Sequence, residues 1–438
     1  MVSTSPTMRE GSNLIRWLLG LGFFVQGFRC FPWMAVNFFL KDGIKVDPST
    51  LQILQNSANL PMVGKPFYGV LSDAVYVFGE HRLPYIALGA LLQAVSWLAI
   101  AILSSSGISI FTMTLYLLLG NLGASIAEVA NDAIVAEIGK QPTLSKSSLS
   151  AELQSFVWMA SSLGGVLGNL VGGVAIERLP AQALFLMFAV ILAVQFSITI
   201  SVHENFLNLP KNPSLGGIRK KLSELTAVLC KPEIAYSITW LAASYAIIPV
   251  LTGTMFFYQT QFLGIDSAIL GVSKVFGQAA MLLWSVVYNK HLKSVSPRKL
   301  ISAIQATMAV FMVSDVLFVK GFYQKIGVSD SVYVIIFSGL LEVLFFFKIL
   351  PFSVMIVQHC PPGCEGSLMA FVMSVIAVAF IISGYLGVAL ASHMKVTGSD
   401  FSGLPRGLLL QAVCTLVPLY WSSCIPDYIK PGDGTKEE

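Results

Sequence analysis

Charged and amide side chains inside long apolar runs are the first feature of this chain that could do chemistry. Between Leu14 and Leu40, Gln26, Arg29, Trp33 and Asn37 recur at spacings of 3, 4 and 4 residues, which puts them on one face of a helix. Between 108 and 138, Asn121, Ser125, Glu128 and Asp132 recur at 4, 3 and 4, with Asn131 and Glu137 beside them. Further on, Ser338 and Glu342 share a face ahead of Phe345, Phe346, Phe347 and Lys348, while Tyr245, Thr252 and Gln259 are spaced by seven. Ionisable groups within apolar helices are costly, so they face a cavity or a partner. A guanidinium such as Arg29 suits a carboxylate, of a ligand or of Glu128 or Asp132. Two carboxylates one helical turn apart, Glu128 and Asp132, repel each other, which favours a shared proton and makes them candidates for proton coupling. Lys274 and Asp315 read as snorkelling or paired groups, and the Phe345–Phe347 run as core or lipid-facing surface.

The elements that would hold these groups are membrane helices. Of 438 residues, 55% are hydrophobic and only 11% charged, against about 25% charged in soluble domains, and the mean hydropathy is +0.75. So few charges do not coat a soluble sphere, and the composition reads as a multi-pass integral membrane protein. The net charge of +4 gives no reason to expect nucleic acid. Six scattered Cys read as small buried residues, and His359, Cys360 and Cys364 lack a second ligand pair, so no metal is expected. No phosphate-binding Gly-rich loop, His-Glu-x-x-His or Ser elbow occurs, which argues against an ATP-driven pump and against an enzyme. Residues 1–13 hold one Arg and lead into an apolar helix, unlike a signal or transit peptide. The expected location is the plasma membrane or an organelle membrane, with the plastid envelope disfavoured.

At about twenty residues per span, helices are expected near 14–40, 51–78, 84–105, 108–138, 149–176 and 181–203. After a polar linker at 204–231, more follow near 233–263, 267–289, 299–320, 331–358, 366–392 and 404–424. The fold class is therefore all-α, with twelve transmembrane helices in two six-helix bundles, 1–203 and 232–438. Lys and Arg are more frequent in the segments on the side of both termini, which puts the termini inside. The halves echo each other. Gly164, Gly168 and Gly172 form a small-residue stripe, and Ser383, Gly387 and Ala391 form another, offset by 219 residues. The turn Asp73–Arg82 has a counterpart in Asn289–Arg298. Lys65, Gly69, Asp73 and Arg82, at the end of the second helix and in its turn, are candidate gating residues.

The run Lys65-Pro66-x-Tyr68-Gly69-x-x-Ser72-Asp73 resembles the folate–biopterin transporter family, a branch of the major-facilitator superfamily. The likeness extends over Gln26-Gly27, Lys41-Asp42, Asp47-Pro48, Leu60-Pro61, Phe78-Gly79, Arg82 and Tyr85. It continues through Asn131-Asp132-Ala133, Glu137, Leu153-Gln154-Ser155, the glycines from Gly164, and Pro362-Gly363-x-Glu365-Gly366-Ser367 with Ala370, Met373 and Ser374. The chain departs from the family in its turn, Glu80-His81-Arg82-Leu83-Pro84, where a basic run is usual, and in lacking the long leader of plastid members. The resemblance implies a major-facilitator fold and uptake of folates or pterins by proton symport with alternating access. The partners would be a small-molecule substrate, protons and lipid, with no cofactor. A flat pterin and an anionic glutamate tail call for aromatic faces, hydrogen-bonding groups and a cation. Trp33, Asn37, Glu342 and Arg29 supply those types. Another small organic solute, or a receptor or scaffold that transports nothing, is the alternative.

Overall fold

The computed structural model describes residues 6–139, 146–204, 223, 225–292, 295–358 and 365–425. Most of the linker and the trio His359, Cys360 and Cys364 lie outside them. The described chain is helical, with a single bridge, Val77 to Glu80, closing the turn before Leu83. Among the described residues, ten helices are long and apolar enough to cross a membrane.

The first half runs α1 (Pro6–Phe28), α2 (Cys30–Phe38), α3 (Pro48–Ala58), α4 (Lys65–Ala74), α5 (Leu83–Ser106), α6 (Ile110–Gly139), α7 (Lys146–Arg178) and α8 (Ala181–Ile200). The second runs α9 (Pro232–Ala246), α10 (Thr252–Phe257), α11 (Ser267–Val287) and α12 (Pro297–Val319). The short α13 (Phe322–Lys325) and α14 (Asp330–Tyr333) lead to α15 (Gly339–Phe347), α16 (Ile349–Gln358), α17 (Glu365–His393) and α18 (Leu404–Leu416).

Two of the twelve expected helices are absent from the ten spans because the backbone breaks them. Near 51–78, α3 and α4 are separated by a 3-10 turn at Leu60–Gly64. Pro61 and Pro66 each remove a backbone donor there and crowd the preceding turn. Near 233–263, the chain leaves the helix between α9 and α10 at Pro249. The seven-residue stripe Tyr245, Thr252, Gln259 therefore does not run along one helix. Tyr245 is fully buried and its hydroxyl donates to the Phe345 carbonyl at 2.6 Å.

Side chains from elsewhere satisfy the groups freed by the second break. Buried Gln52 donates from Nε2 to the Val250 carbonyl at 2.7 Å and to the Gly384 carbonyl at 2.7 Å, and its Oε1 accepts the Gly253 N–H at 2.9 Å. Ser383 Oγ donates to the Ile248 carbonyl. In lipid an unsatisfied backbone group costs several kcal/mol, so these side chains are what make the break tolerable.

The two small-residue stripes do matching work. A methyl group on Gly164 would meet the Phe24 carbonyl at 2.2 Å, so that stripe seats α7 on α1. A methyl group on Gly387 would meet the Val250 carbonyl at 1.9 Å, so the other stripe seats α17 on the broken helix. A large apolar cluster joins residues of both halves, among them Leu40, Val46 and Leu51 with Leu251, Phe257, Leu390 and Phe401. It sits at the end of the molecule that carries Asp47. A second cluster belongs to residues 225–425 alone. A third gathers Ile15, Leu19, Leu83, Ile86, Ile134 and Val157 at the end that carries Arg82.

Candidate functional site

Arg29 sits at the junction of α1 and α2 with helical backbone angles, φ −56° and ψ −22°, and the first span runs on through it. Its Nη1 lies 2.5 Å from Glu128 Oε1, and its Nη2 donates to Asn121 Oδ1 at 2.7 Å. Lys65 Nζ takes the other Glu128 oxygen at 2.7 Å. Asn121 in turn donates to the Ala58 carbonyl at 2.6 Å, at the end of α3. Arg29 and Lys65, and through Asn121 the end of α3, are thus tied to one buried carboxylate on α6. Behind Arg29 the polar lining continues through Gln26, Gln93, Asn131 and Gln195.

Asp132, one turn beyond Glu128, is exposed and makes no ion pair among the described residues. The expected carboxylate pair is therefore divided: Glu128 is engaged at both oxygens, while Asp132 is open to solvent. Trp33 and Asn37 turn toward helices of their own half. Trp33 meets Trp97 edge-on at 6.4 Å, and Asn37 accepts from Gln55 at 2.5 Å. In the second half, Glu342 accepts from Lys274 at 2.6 Å, and both side chains reach solvent. Asp315 is buried and accepts the Tyr333 hydroxyl at 3.0 Å. Lys348 is fully buried against Gln305 Oε1 at 2.7 Å and Ser244 Oγ at 3.0 Å.

At the Arg82 end lies a second network. Arg82 pairs with Asp73, with Glu137 at 2.5 Å, and with Ser72 Oγ at 2.7 Å. Gly69 stands one turn before Asp73, against Val129 of α6. Lys65 does not join this cluster, because Glu128 holds its ammonium. Glu204, which sequence reasoning missed, completes the network. Its carboxylate accepts the backbone N–H groups of His81, Arg82 and Leu83, the last at 2.8 Å. Those donors form the unpaired N-terminus of α5, which attracts a negative charge. His81 Nδ1 lies 3.1 Å from Glu204, its Nε2 lies 3.5 Å from Glu137, and its ring stacks on Tyr76. An acidic residue just after the sixth span was the only available sequence signal.

The titration of this network gives a pH prediction. Burial opposes a charge on His81, but the hydrogen bonds to Glu137 and Glu204 and the Glu204 charge outweigh it, and its pKa rises from 6.5 to about 9. Burial likewise opposes charge on Glu204, but the bonds from His81 and the α5 amides hold it down at about 2, from 4.5. The His81 contribution is thus complete below pH 6.5 and fades as pH rises through 9, whereas the Glu204 contribution fades only as pH falls through 2. Melting curves of the purified protein between pH 6 and 9.5 should show stability falling over the alkaline part of that range. His81→Asn should flatten the fall; an identical slope in the variant would rule out His81 as its source.

Comparison with known proteins agrees with this architecture. The model of the BT1 family matches residues 26–437. A probable folate-biopterin transporter 7 of Arabidopsis thaliana is 63% identical over the whole of both chains. A probable folate-biopterin transporter 9, chloroplastic, of the same plant is 40% identical over 95% of this chain and 77% of its own length. Among solved structures, the nucleoside transporter NupG superposes with a TM-score of 0.65 at 13% identity, covering 95% of this chain and 98% of that one, a likeness of fold of the major-facilitator type. With a family match across nearly the whole chain and close relatives along its full length, this membrane protein belongs to the BT1 family of transporters.

Proposed function

We propose that the chain is a secondary active transporter that carries folates or pterins by alternating access, with protons as the coupling ion. The observation that carries the reading is the buried Arg29–Glu128–Lys65 network beside a solvent-reached Asp132, in a chain whose relatives are named folate-biopterin transporters. A carboxylate that water can reach, one turn from a charge cluster tying four segments together, suits a proton site whose occupancy alters helix packing. Twelve helices in two bundles, 1–203 and 232–438, joined by 204–231, fit the ten spans plus the two broken helices. The matched seating of the Gly164 and Gly387 stripes supports that duplication. The substrate passes through a membrane of the cell surface or an organelle.

The bundles meet at the Asp47 end, around Gln52, Val250, Gly384 and Gly387. By the distribution of basic residues this end faces outward, so the molecule is closed to the outside. Asp73, Arg82, Glu137 and Glu204 then form an inner latch within the first bundle. Gln52→Ala should loosen the bundles at the closed end, because this side chain carries the bonds from the first bundle to the Val250 and Gly384 carbonyls and the Gly253 N–H. A cysteine placed at Asn56 should then label with a membrane-impermeant maleimide several-fold faster from outside; an unchanged rate would exclude this contact as the outer gate.

The test of the function is uptake into proteoliposomes of the purified protein, with labelled folic acid and biopterin under an inward proton gradient. Saturable accumulation that collapses with the gradient supports the reading. A protein that takes up neither compound overturns it.

A further inference from the structure

Lys274 and Glu342 form an ion pair that the buried network does not use, and their helices aim both side chains at the protein interior. On α11, Val272, Phe276 and Leu283 are exposed and mark the outer face. Lys274 stands opposite them. On one side of it Gly271 and Gln278 meet α7 at Asn169 and Gly165, and on the other Ser273 and Gly277 meet Gly339. On α15, Glu342 is flanked by Ser338, which accepts from Gln259 at 3.5 Å, and by Phe346, whose ring lies 5.8 Å from Phe380 of α17. The pair therefore lies on the sides of α11 and α15 that turn toward α7 and α17. Its side chains remain 37% and 56% exposed there, and neither makes another ion pair among the described residues.

We infer that Lys274 and Glu342 recognise the 2-amino-4-oxo-pyrimidine edge of the substrate's fused ring, an assignment that rests on the pterin reading above. That edge presents two adjacent donors, the 2-amino group and N3–H, followed by an acceptor, O4. A carboxylate takes two parallel donors with its two oxygens, as it does in other base-edge recognition. An ammonium beside the carboxylate then lies next to O4. The 2.6 Å contact between the two side chains places acceptor and donor side by side in the order the edge requires. Phe346, one turn beyond Glu342 and exposed, offers a ring face for a planar heterocycle. When no substrate is present the two charges satisfy each other, so neither is left uncompensated. Arg29, held by Glu128 and Asn121, is not needed for this edge.

The test is equilibrium binding to the purified full-length protein, comparing pterin with lumazine, which has a second carbonyl in place of the 2-amino group. The wild-type protein should bind pterin about ten- to a hundredfold more tightly, since a charge-assisted hydrogen bond is lost in lumazine. Glu342→Gln should weaken pterin binding by that factor and lumazine, which keeps only N3–H of the two donors, by less, and so bring the ratio toward one. Lys274→Met should weaken both ligands, which share O4. A wild-type ratio near one, or a ratio unchanged in Glu342→Gln at an unchanged melting temperature, overturns the assignment while leaving pterin transport standing. Guanosine carries the same edge and xanthosine lacks its amino group. If the protein ignores pterin yet prefers guanosine to xanthosine through Glu342, the edge assignment holds and the pterin reading falls. Binding of none of the four overturns both.

Discussion

Glu128→Gln is expected to cost about 3–5 kcal/mol of folded-state stability, the range found when one partner of a buried ion pair is removed. Both oxygens of Glu128 are engaged, one by Arg29 and one by Lys65. A neutral amide would leave two cations beside each other with no carboxylate contact. Asn121 would still accept one bond from Arg29, but a neutral acceptor does not offset a charge. The variant should reach the membrane in much smaller amounts and melt earlier in detergent than the parent. Removing the cations as well, in Glu128→Gln with Arg29→Gln and Lys65→Met, should recover part of the loss, because it removes the charges that the first change stranded. A cycle of single and combined variants isolates that coupling. If Glu128→Gln alone keeps the parental melting temperature and abundance, the network is not what holds α2, α4 and α6 together.

This network shows where sequence reasoning stops. The spacing of Gln26, Arg29, Trp33 and Asn37 marks a polar stripe, but a shared face does not say which helix each side chain meets. Arg29 turns to Glu128, whereas Trp33 and Asn37 pack on Trp97 and Gln55. The choice between ligand and ion pair for Arg29 depends on which helix lies opposite, and helical periodicity carries no information about that. The same holds for Lys65, whose carboxylate partner stands 63 residues away. The two broken helices read in the sequence as continuous runs, 51–78 and 233–263. Pro61, Gly64 and Pro66 signal a disturbance, and Pro249 another, but the sequence does not say that Gln52 would repair the second from a different helix. Glu204 and His81 are 123 residues apart and come together only when the sixth span returns beside the turn before α5. In contrast, the paired small-residue stripes were legible because close helix contact demands small residues wherever it occurs. Asp73 and Arg82 were legible as a pair because nine residues of turn leave them little room to part.

Asp132→Asn should abolish uphill uptake while sparing exchange. In the structure Asp132 is open to solvent and without an ion pair among the described residues, one turn from the engaged Glu128. A coupling site must exchange its proton with water on one side of the membrane and must have its charge felt by the helices that move. The exposed carboxylate meets the first requirement, and its place beside the charge cluster on α6 meets the second. Asparagine keeps the shape and some hydrogen bonding but neither binds nor releases a proton. Each pH unit of gradient supplies about 1.4 kcal/mol per proton, enough for roughly tenfold accumulation at one proton per substrate. With the membrane potential clamped, the parent should approach that accumulation under an inward gradient of one unit, and Asp132→Asn should stop at equal concentrations. Exchange of labelled for unlabelled substrate at equal pH should continue at a rate within several-fold of the parent, because exchange needs the bundles to move but not the proton to leave. This profile is unlike that of Glu128→Gln, whose deficit lies in the amount of folded protein and lowers both activities together. Accumulation by Asp132→Asn equal to the parent, at matched abundance in the vesicles, would remove Asp132 from the coupling path and move the search to Asp315, a buried carboxylate of the second half.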